Sequence, residues 1–260
     1  MNRRAFAKHF PTFVISLERT PHRLTDFRRW NAAADLEIEV FNAVDGRTLD
    51  IGAVDPAILK PGTTCYKAGS VGSAMSHRAL WQRCAAGEKP FLIFEDDAAI
   101  RGDVRDVLPA LVDGLEPSWE LFLLGYNTDV LVEVAMADDL NMRLGFSNRY
   151  PEPADLARFT AGRSAVGVGR LTLFFGLCGY LISPAGARSL LIKCFPLELR
   201  TLQVAASGVK LATNTLDIRI DTHLPFVRAY ACVPPLVMPD NRAATSAKAG
   251  KSTPPFPPSS

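Results

Sequence analysis

Little in the overall charge of this 260-residue chain sets it apart: 29 Lys and Arg face 27 Asp and Glu, a formal net of +2. Nothing global therefore points to nucleic acid as a partner. There is no CxxC. The five cysteines (65, 84, 178, 194 and 232) are an odd number, mostly in apolar company, which predicts buried thiols in a reducing compartment rather than a disulfide framework. There is no long hydrophobic run. The longest uncharged stretch, Leu171–Ala187, is broken by Gly176, Gly179, Gly186 and Ser183-Pro184, so it predicts two strands and a turn instead of a membrane span. No secretory leader is visible either, because only Ala5-Phe6-Ala7 separates Arg4 from Lys8. A cytosolic location is the expectation. HExxH, GxSxG and zinc-ligand spacings are all missing. Gly250-Lys251-Ser252-Thr253 imitates the end of a phosphate loop, but Thr245 stands where its first glycine belongs and prolines follow; Gly167-Val168-Gly169 lacks the third glycine of a dinucleotide turn.

What is present is a chain that is 48% hydrophobic and 22% charged, enough to build a substantial core. Thr12–Leu17 reads as a buried strand, Thr20-Pro21 as a helix start, and Glu37–Val44 as a second strand closed by Asp45-Gly46. This β-α-β order predicts a parallel pair. A helix is expected from Ser70 to before Gly87, a strand over Phe91–Phe94, a helix near Asp103–Leu115 and a strand over Leu121–Gly125. The alternation predicts an α/β domain over residues 1–245, with a mostly parallel central sheet flanked by helices. The pattern weakens at 126–170, which reads as a variable insertion of loops. Leu171–Ser183, a helix over Pro184–Cys194 and a strand over Ala231–Met238 follow. The Lys-, Ser- and Pro-rich tail at 246–260 reads as disordered.

Five places carry candidate chemistry. Glu95-Asp96-Asp97 closes an apolar strand, where ligands of open α/β sheets bind. Hard oxygen donors there suit Mg²⁺ or Mn²⁺ on a diphosphate; the plain alternative is a solvated turn capping the next helix. At the end of the first strand, Ser16, Arg19 and Arg23 make an anion site or, equally in kind, an ordinary basic face. Asp45 follows the second strand, where a ribose-binding acid often falls, or it is only an Asp-Gly turn. Ser76 and His77 sit on a helix, with His77 either reaching a phosphate or metal or satisfied inside the core. Asp217 and Asp221 are spaced by four, with His223 following; either acid suits a general base, and Arg219 between them suits a surface salt bridge. Residues 1–30 hold seven Lys and Arg against two acids, which fits peripheral contact with an anionic membrane or simple solubility.

Taken in order, these blocks resemble glycosyltransferase family 25. The matching residues are Val14-Ile15-Ser16-Leu17 with Arg19 and Arg23; Asn42–Gly46; Gly72, Ser76-His77 and Trp81; Phe91–Asp97; Trp119-Glu120 to Gly125; Gly176, Tyr180–Ser183, Gly186-Ala187 and Leu190; and Ile220-Asp221. The resemblance covers about residues 12–240. It implies a GT-A-like fold, a nucleotide-sugar donor such as UDP-galactose, and an inverting transfer to a saccharide, of lipooligosaccharide type or another surface glycan, with the acceptor free or lipid-linked. It further implies that Ser16, Arg19, Arg23, Asp45, Ser76 and His77 face the donor. Glu95, Asp96 and Asp97 would hold Mn²⁺ or Mg²⁺, and Asp221 would be the base. Thr222-His223 departs from the family's usual acidic or aromatic pair, and Asp240-Asn241 stands where a late metal ligand would be sought. A non-catalytic relative that binds a nucleotide sugar or glycan, or a metal-dependent hydrolase, are the rival readings.

Overall fold

A computed structural model describes residues 2–137, 140–146, 150–204 and 208–240. The tail at 246–260, with its imitation of a phosphate loop, lies outside the described residues.

The chain opens with a short helix, α1 (Arg3–His9), which the sequence reading passed over. Asn2 caps it by accepting from the Ala5 amide, and Lys8 and His9 occupy its last turn, where positive charge suits the helix dipole. Strand β1 (Thr12–Ser16) follows, then α2 (Pro21–Trp30), with Pro21 at its first position, and β2 (Glu39–Asn42). Helix α3 (Ala68–Ala85) leads into β3 (Phe91–Glu95), β4 (Ala98–Ile100), α4 (Val104–Asp113) and β5 (Leu121–Gly125). The region expected to be loops instead carries β6 (Leu131–Ala137), β7 (Leu140–Gly145), α5 (Pro153–Ala161) and β8 (Gly167–Leu173). The chain then runs through β9 (Gly179–Ile182), α6 (Pro184–Cys194), β10 (Thr201–Gln203), β11 (Lys210–Ala212), α7 (Leu216–Asp221), β12 (Ala229–Val233) and β13 (Val237–Pro239). The late strand expected over Ala231–Met238 is thus two strands. Pro234 and Pro235 lie between them and supply no amide to a ladder.

Eleven strands make one sheet in the order β2-β1-β3-β9-β5-β12-β8-β6-β7, with β13 joining β4 and β5. β1 runs parallel to β2 and β3, and β12 parallel to β5, but β9 lies antiparallel between β3 and β5, and β12, β8, β6 and β7 alternate in direction. The expected mostly parallel sheet is therefore a mixed one. β9 follows β8 after the five-residue loop 174–178 but is separated from it in the sheet by β5 and β12, lying between β3 and β5 and antiparallel to both.

Two cores lie on the two faces of this sheet. Along β3, Ile93 packs in one core and Leu92 and Phe94 in the other; along β5, Leu121 and Leu123 oppose Phe122 and Leu124 in the same way. Both faces being covered explains why these strands are uninterrupted apolar runs. Each such side chain removed from water contributes roughly 1.5–3 kcal/mol before entropy is counted. Among the described residues no helix is long and apolar enough to cross a membrane.

Candidate functional site

β1 and β3 are neighbours with Ile15 opposite Glu95, so the residues just past them meet at the carboxyl edge of the sheet. Ser16 Oγ donates to Asp96 Oδ2 at 2.8 Å. Arg23, in the first turns of α2, reaches the same acid: Nε donates to Asp96 Oδ1 at 2.6 Å, and a terminal nitrogen lies 3.2 Å from Asp97 Oδ2. The strand pleat sorts the three acids. Phe94 and Asp96 point toward α2, whereas Ile93 and Glu95 point toward α3, where His77 Nε2 lies 3.3 Å from Glu95 Oε1. Asp97 falls in the two-residue turn before β4, and its backbone carbonyl accepts from the Asp240 amide at 2.8 Å. A strand follows this turn, so the acids do not cap a helix.

Several of the residues expected to face a donor or a metal are buried and paired. Asp96 has both oxygens engaged by Ser16 and Arg23 and is 6% exposed; it holds the turn together. The Arg23 side chain, 11% exposed, pairs with Asp96 and Asp97. Ser16 is buried beside it. Ser76 is wholly buried, accepting from the Val44 amide at 2.9 Å and donating to the Gly72 carbonyl at 2.8 Å. His77 is buried too, with Nδ1 2.8 Å from the Tyr180 hydroxyl. Sequence alone could not tell these supporting side chains from ligands, since both roles use the same residue types.

The remaining residues stay at the surface of the site. Asp45 is half-buried: one oxygen accepts from the Arg47 amide at 3.0 Å and the other from Arg19 Nε at 2.7 Å. The Arg47 amide foremost, then the Arg19 charge, hold its carboxyl below the ordinary range. Its loop is set by close packing on α3. A Cβ on Gly72 would lie 2.5 Å from the Val44 carbonyl, and one on Gly46 would lie 2.3 Å from the Ala68 carbonyl, so only glycines allow this approach.

Asp97 is the unusual acid. Its Oδ1 is buried without any hydrogen-bond partner. Burial pushes its carboxyl up to about 7; Arg23 pulls the other way, and Glu95 and Asp96 add repulsion. An orphaned, buried oxygen beside a second carboxylate, Glu95, is the donor chemistry that Mg²⁺ or Mn²⁺ accepts. Among the described residues no three His, Cys, Asp or Glu side chains come together as a metal cage. The fit is therefore to an ion held by one or two carboxylates and completed by substrate oxygens.

Asp221 lies deep in the fold. It is 4% exposed, its Oδ1 accepts from the Phe174 amide at 3.2 Å, and its Oδ2 is buried and unpartnered. Burial, with help from Asp217, raises its carboxyl well above the ordinary value. At this depth the carboxyl is not exposed to an acceptor hydroxyl. Asp217, half-buried, accepts from the Gly176 amide at 2.7 Å. These two acids thus pin the loop 174–178, whose far end meets the acidic turn where the Cys178 carbonyl accepts from the Glu95 amide at 3.0 Å. Gly176 is required there: φ is +86° and a Cβ would fall 2.1 Å from Asn127 Oδ1.

The blocks around Trp119 and Ser183 are structural. Ser183 caps α6 by accepting from the Gly186 amide and donates to the Trp119 carbonyl, and Glu120 Oε2 accepts from the Arg228 amide.

Residues 9–201 match the description glycosyltransferase family 25 (LPS biosynthesis protein). Over 128 residues the chain is 36% identical to a mouse protein named inactive glycosyltransferase 25 family member 3, covering 44% of this chain and 21% of that one. It is 31% identical over 117 residues to the putative glycosyltransferase R655 of Acanthamoeba polyphaga mimivirus, 43% of this chain and 36% of that one. It is 26% identical over 129 residues to human procollagen galactosyltransferase 2, 44% and 20% respectively. The matched part thus spans only a fifth to a third of these relatives' length, and they are eukaryotic and viral proteins. The family match, covering well over half of the chain and both strands that build the acidic turn, shows that this chain belongs to glycosyltransferase family 25.

Proposed function

We propose that the chain transfers a sugar from a nucleotide diphosphate donor, UDP-galactose foremost, to a hydroxyl of a saccharide acceptor. The observation that carries this reading is Asp97: a buried carboxylate oxygen without a partner, at the carboxyl end of a central strand, in a member of a glycosyltransferase family. Asp97 and Glu95 would hold a divalent ion, which when bound offsets the charge growing on the departing diphosphate. Arg23 and Ser16 fix Asp96 and thereby the turn. Asp45, steadied by Arg19 at the end of the neighbouring strand, would accept from ribose hydroxyls. The name of the human relative supports galactose; a lipopolysaccharide acceptor rests on the family description alone. Arg3 pairs with Asp35 and Glu37, and Arg29 with Asp26, which leaves less of the basic N-terminal segment for an anionic membrane.

Calorimetry of UDP with and without Mn²⁺ tests this reading. Mn²⁺ should strengthen UDP binding, and UDP-galactose with Mn²⁺ should raise the melting temperature above that of other nucleotide sugars. Equal UDP affinity in Mn²⁺ and in excess EDTA would overturn the metal role. The second reading, a binding protein without transferase activity, is favoured by the buried Asp221 and by the mouse relative named inactive. It predicts donor binding with neither transfer nor hydrolysis across a panel of saccharide acceptors.

A further inference from the structure

A buried chain of polar groups runs from α3 to the acidic turn. Trp81 Nε1 donates to the Tyr180 hydroxyl at 2.8 Å, that hydroxyl lies 2.8 Å from His77 Nδ1, and His77 Nε2 lies 3.3 Å from Glu95 Oε1. Trp81, Tyr180 and His77 are 0%, 0% and 1% exposed, so water does not set the direction of these bonds. The indole can only donate. The Tyr180 oxygen therefore accepts from Trp81, and its single hydrogen needs an acceptor, which His77 Nδ1 supplies. A histidine whose Nδ1 accepts carries its proton on Nε2, facing a carboxylate that only accepts when ionised. The other tautomer would strand the Tyr180 hydrogen in the core and set the Nε2 lone pair against a Glu95 oxygen. An imidazolium would also strand the Tyr180 hydrogen.

We propose that Trp81 and Tyr180 lock His77 as the Nε2–H tautomer, making His77 a positioning residue that orients Glu95 for the diphosphate-bound cation. The proposal rests on the metal reading of Glu95 and Asp97 given above. Partners behind a metal's direct ligands commonly set affinity by about 10–100-fold. Here the device uses three buried side chains from two elements, and its direction follows from one donor-only group at its far end. Tyr180, on the central antiparallel strand β9, thus ties the middle of the sheet to the edge where substrate binds.

The tautomer is read without substrate. In ¹⁵N-labelled protein, long-range ¹H–¹⁵N correlations of the four histidines (His9, His22, His77, His223) identify His77 by its loss in His77→Gln. Nε2 should appear as the protonated, pyrrole-type nitrogen and Nδ1 as the pyridine-type one. A protonated Nδ1 overturns the proposal. Tyr180→Phe keeps the ring and removes the hydroxyl. It should turn His77 into a tautomer mixture and reduce the Mn²⁺-dependent gain in UDP affinity about 10–100-fold, while UDP affinity in EDTA is unchanged. Equal losses with and without Mn²⁺ would mean packing alone and overturn it. Should Tyr180→Phe fail to fold, His77→Gln, whose amide N–H can stand in for Nε2–H, is compared with His77→Leu. Gln should keep more of the Mn²⁺ gain, and equal loss overturns the proposal. A wild-type protein whose UDP affinity ignores Mn²⁺ overturns the metal reading, and the role of His77 with it, but leaves the tautomer assignment standing.

Discussion

Replacing Asp97 by Asn should make the metal-free protein more stable at neutral pH while removing the response of UDP binding to Mn²⁺. The Asp97 carboxyl is pushed from its ordinary 3.8 up to about 7 by burial, against the pull of Arg23. The folded state therefore holds this proton through a window in which the unfolded chain has lost it. In that window the native state binds more protons, so wild-type stability falls as pH rises from 3.8 and levels off above about 7. Each pH unit is worth about 1.4 kcal/mol, which sets a ceiling of roughly 4 kcal/mol. Since the side chain is 21% exposed, water reduces this, and about 2–4 kcal/mol is the expected gain. Asn keeps the shape and cannot ionise, so the variant should match wild type near about pH 4 and pull ahead by about pH 8. Urea denaturation in EDTA across that range measures the difference directly. A variant that is no more stable than wild type at the alkaline end would show that the carboxylate supports the turn. A pH-independent gain would place the cause elsewhere than in this ionisation.

Arg23→Met should destabilise the protein by about 3–5 kcal/mol, because it leaves Asp96 and Asp97 without their buried cation. Adding Asp97→Asn should recover part of that loss in a double-mutant cycle, and strict additivity would refute the coupling. Gly72→Ala drives a Cβ to 2.5 Å from the Val44 carbonyl; a loss of about 1–3 kcal/mol is expected in thermal or urea melts. UDP affinity should weaken as well if Asp45 touches the donor, since it rides on the same loop. Asp221→Asn should bind donor normally and keep transfer within about tenfold of wild type; a drop of about 10²–10⁴ in kcat would restore Asp221 as the base.

The uniformly apolar strands were legible because burial on both sheet faces leaves no alternation to misread. Thr12–Ser16, Phe91–Glu95 and Leu121–Gly125 fall where the runs of β-branched and large apolar residues stand. Helix α6 was legible to the residue from Ser183-Pro184 and Cys194. The directions of the strands were not. Gly179–Ile182 reads the same whether it runs up or down the sheet, and its antiparallel place is fixed by pairing with β3 and β5, which are distant in sequence. The β6–β7 hairpin was missed because Leu131–Ala137 and Leu140–Gly145 mix Glu133, Asn141 and Arg143 with the apolar residues. Those polar groups are satisfied across the hairpin, where Glu133 accepts from Asn141 and Arg143, and such pairing cannot be read from one strand at a time.

Ser16, Arg23 and the three acids, singled out in the sequence, meet at one sheet edge in the structure, but their separate contacts were not legible. Glu95, Asp96 and Asp97 are nearly equivalent as letters, and only the pleat separates them. Counting by twos from the apolar run would have sent Asp96 with Phe94 to the face of α2, where Arg23 waits, and Glu95 with Ile93 to the face of α3, where His77 lies. Asp97, in the turn beyond the strand, meets Arg23 through Oδ2 alone. That leaves it with an oxygen no side chain claims, and the lack of a claim is what suits it to an exchangeable ligand. The depth of Asp221 was not legible for the converse reason. Its spacing from Asp217 predicts a shared helix face but says nothing of depth, and the Phe174 loop closes over it. A carboxyl at a strand end and a carboxyl beneath a loop carry the same charge in sequence. Each keeps one oxygen without a partner, and what separates them is position: Asp97 lies just past the carboxyl end of β3 beside Glu95, and Asp221 lies beneath the loop at 174–178.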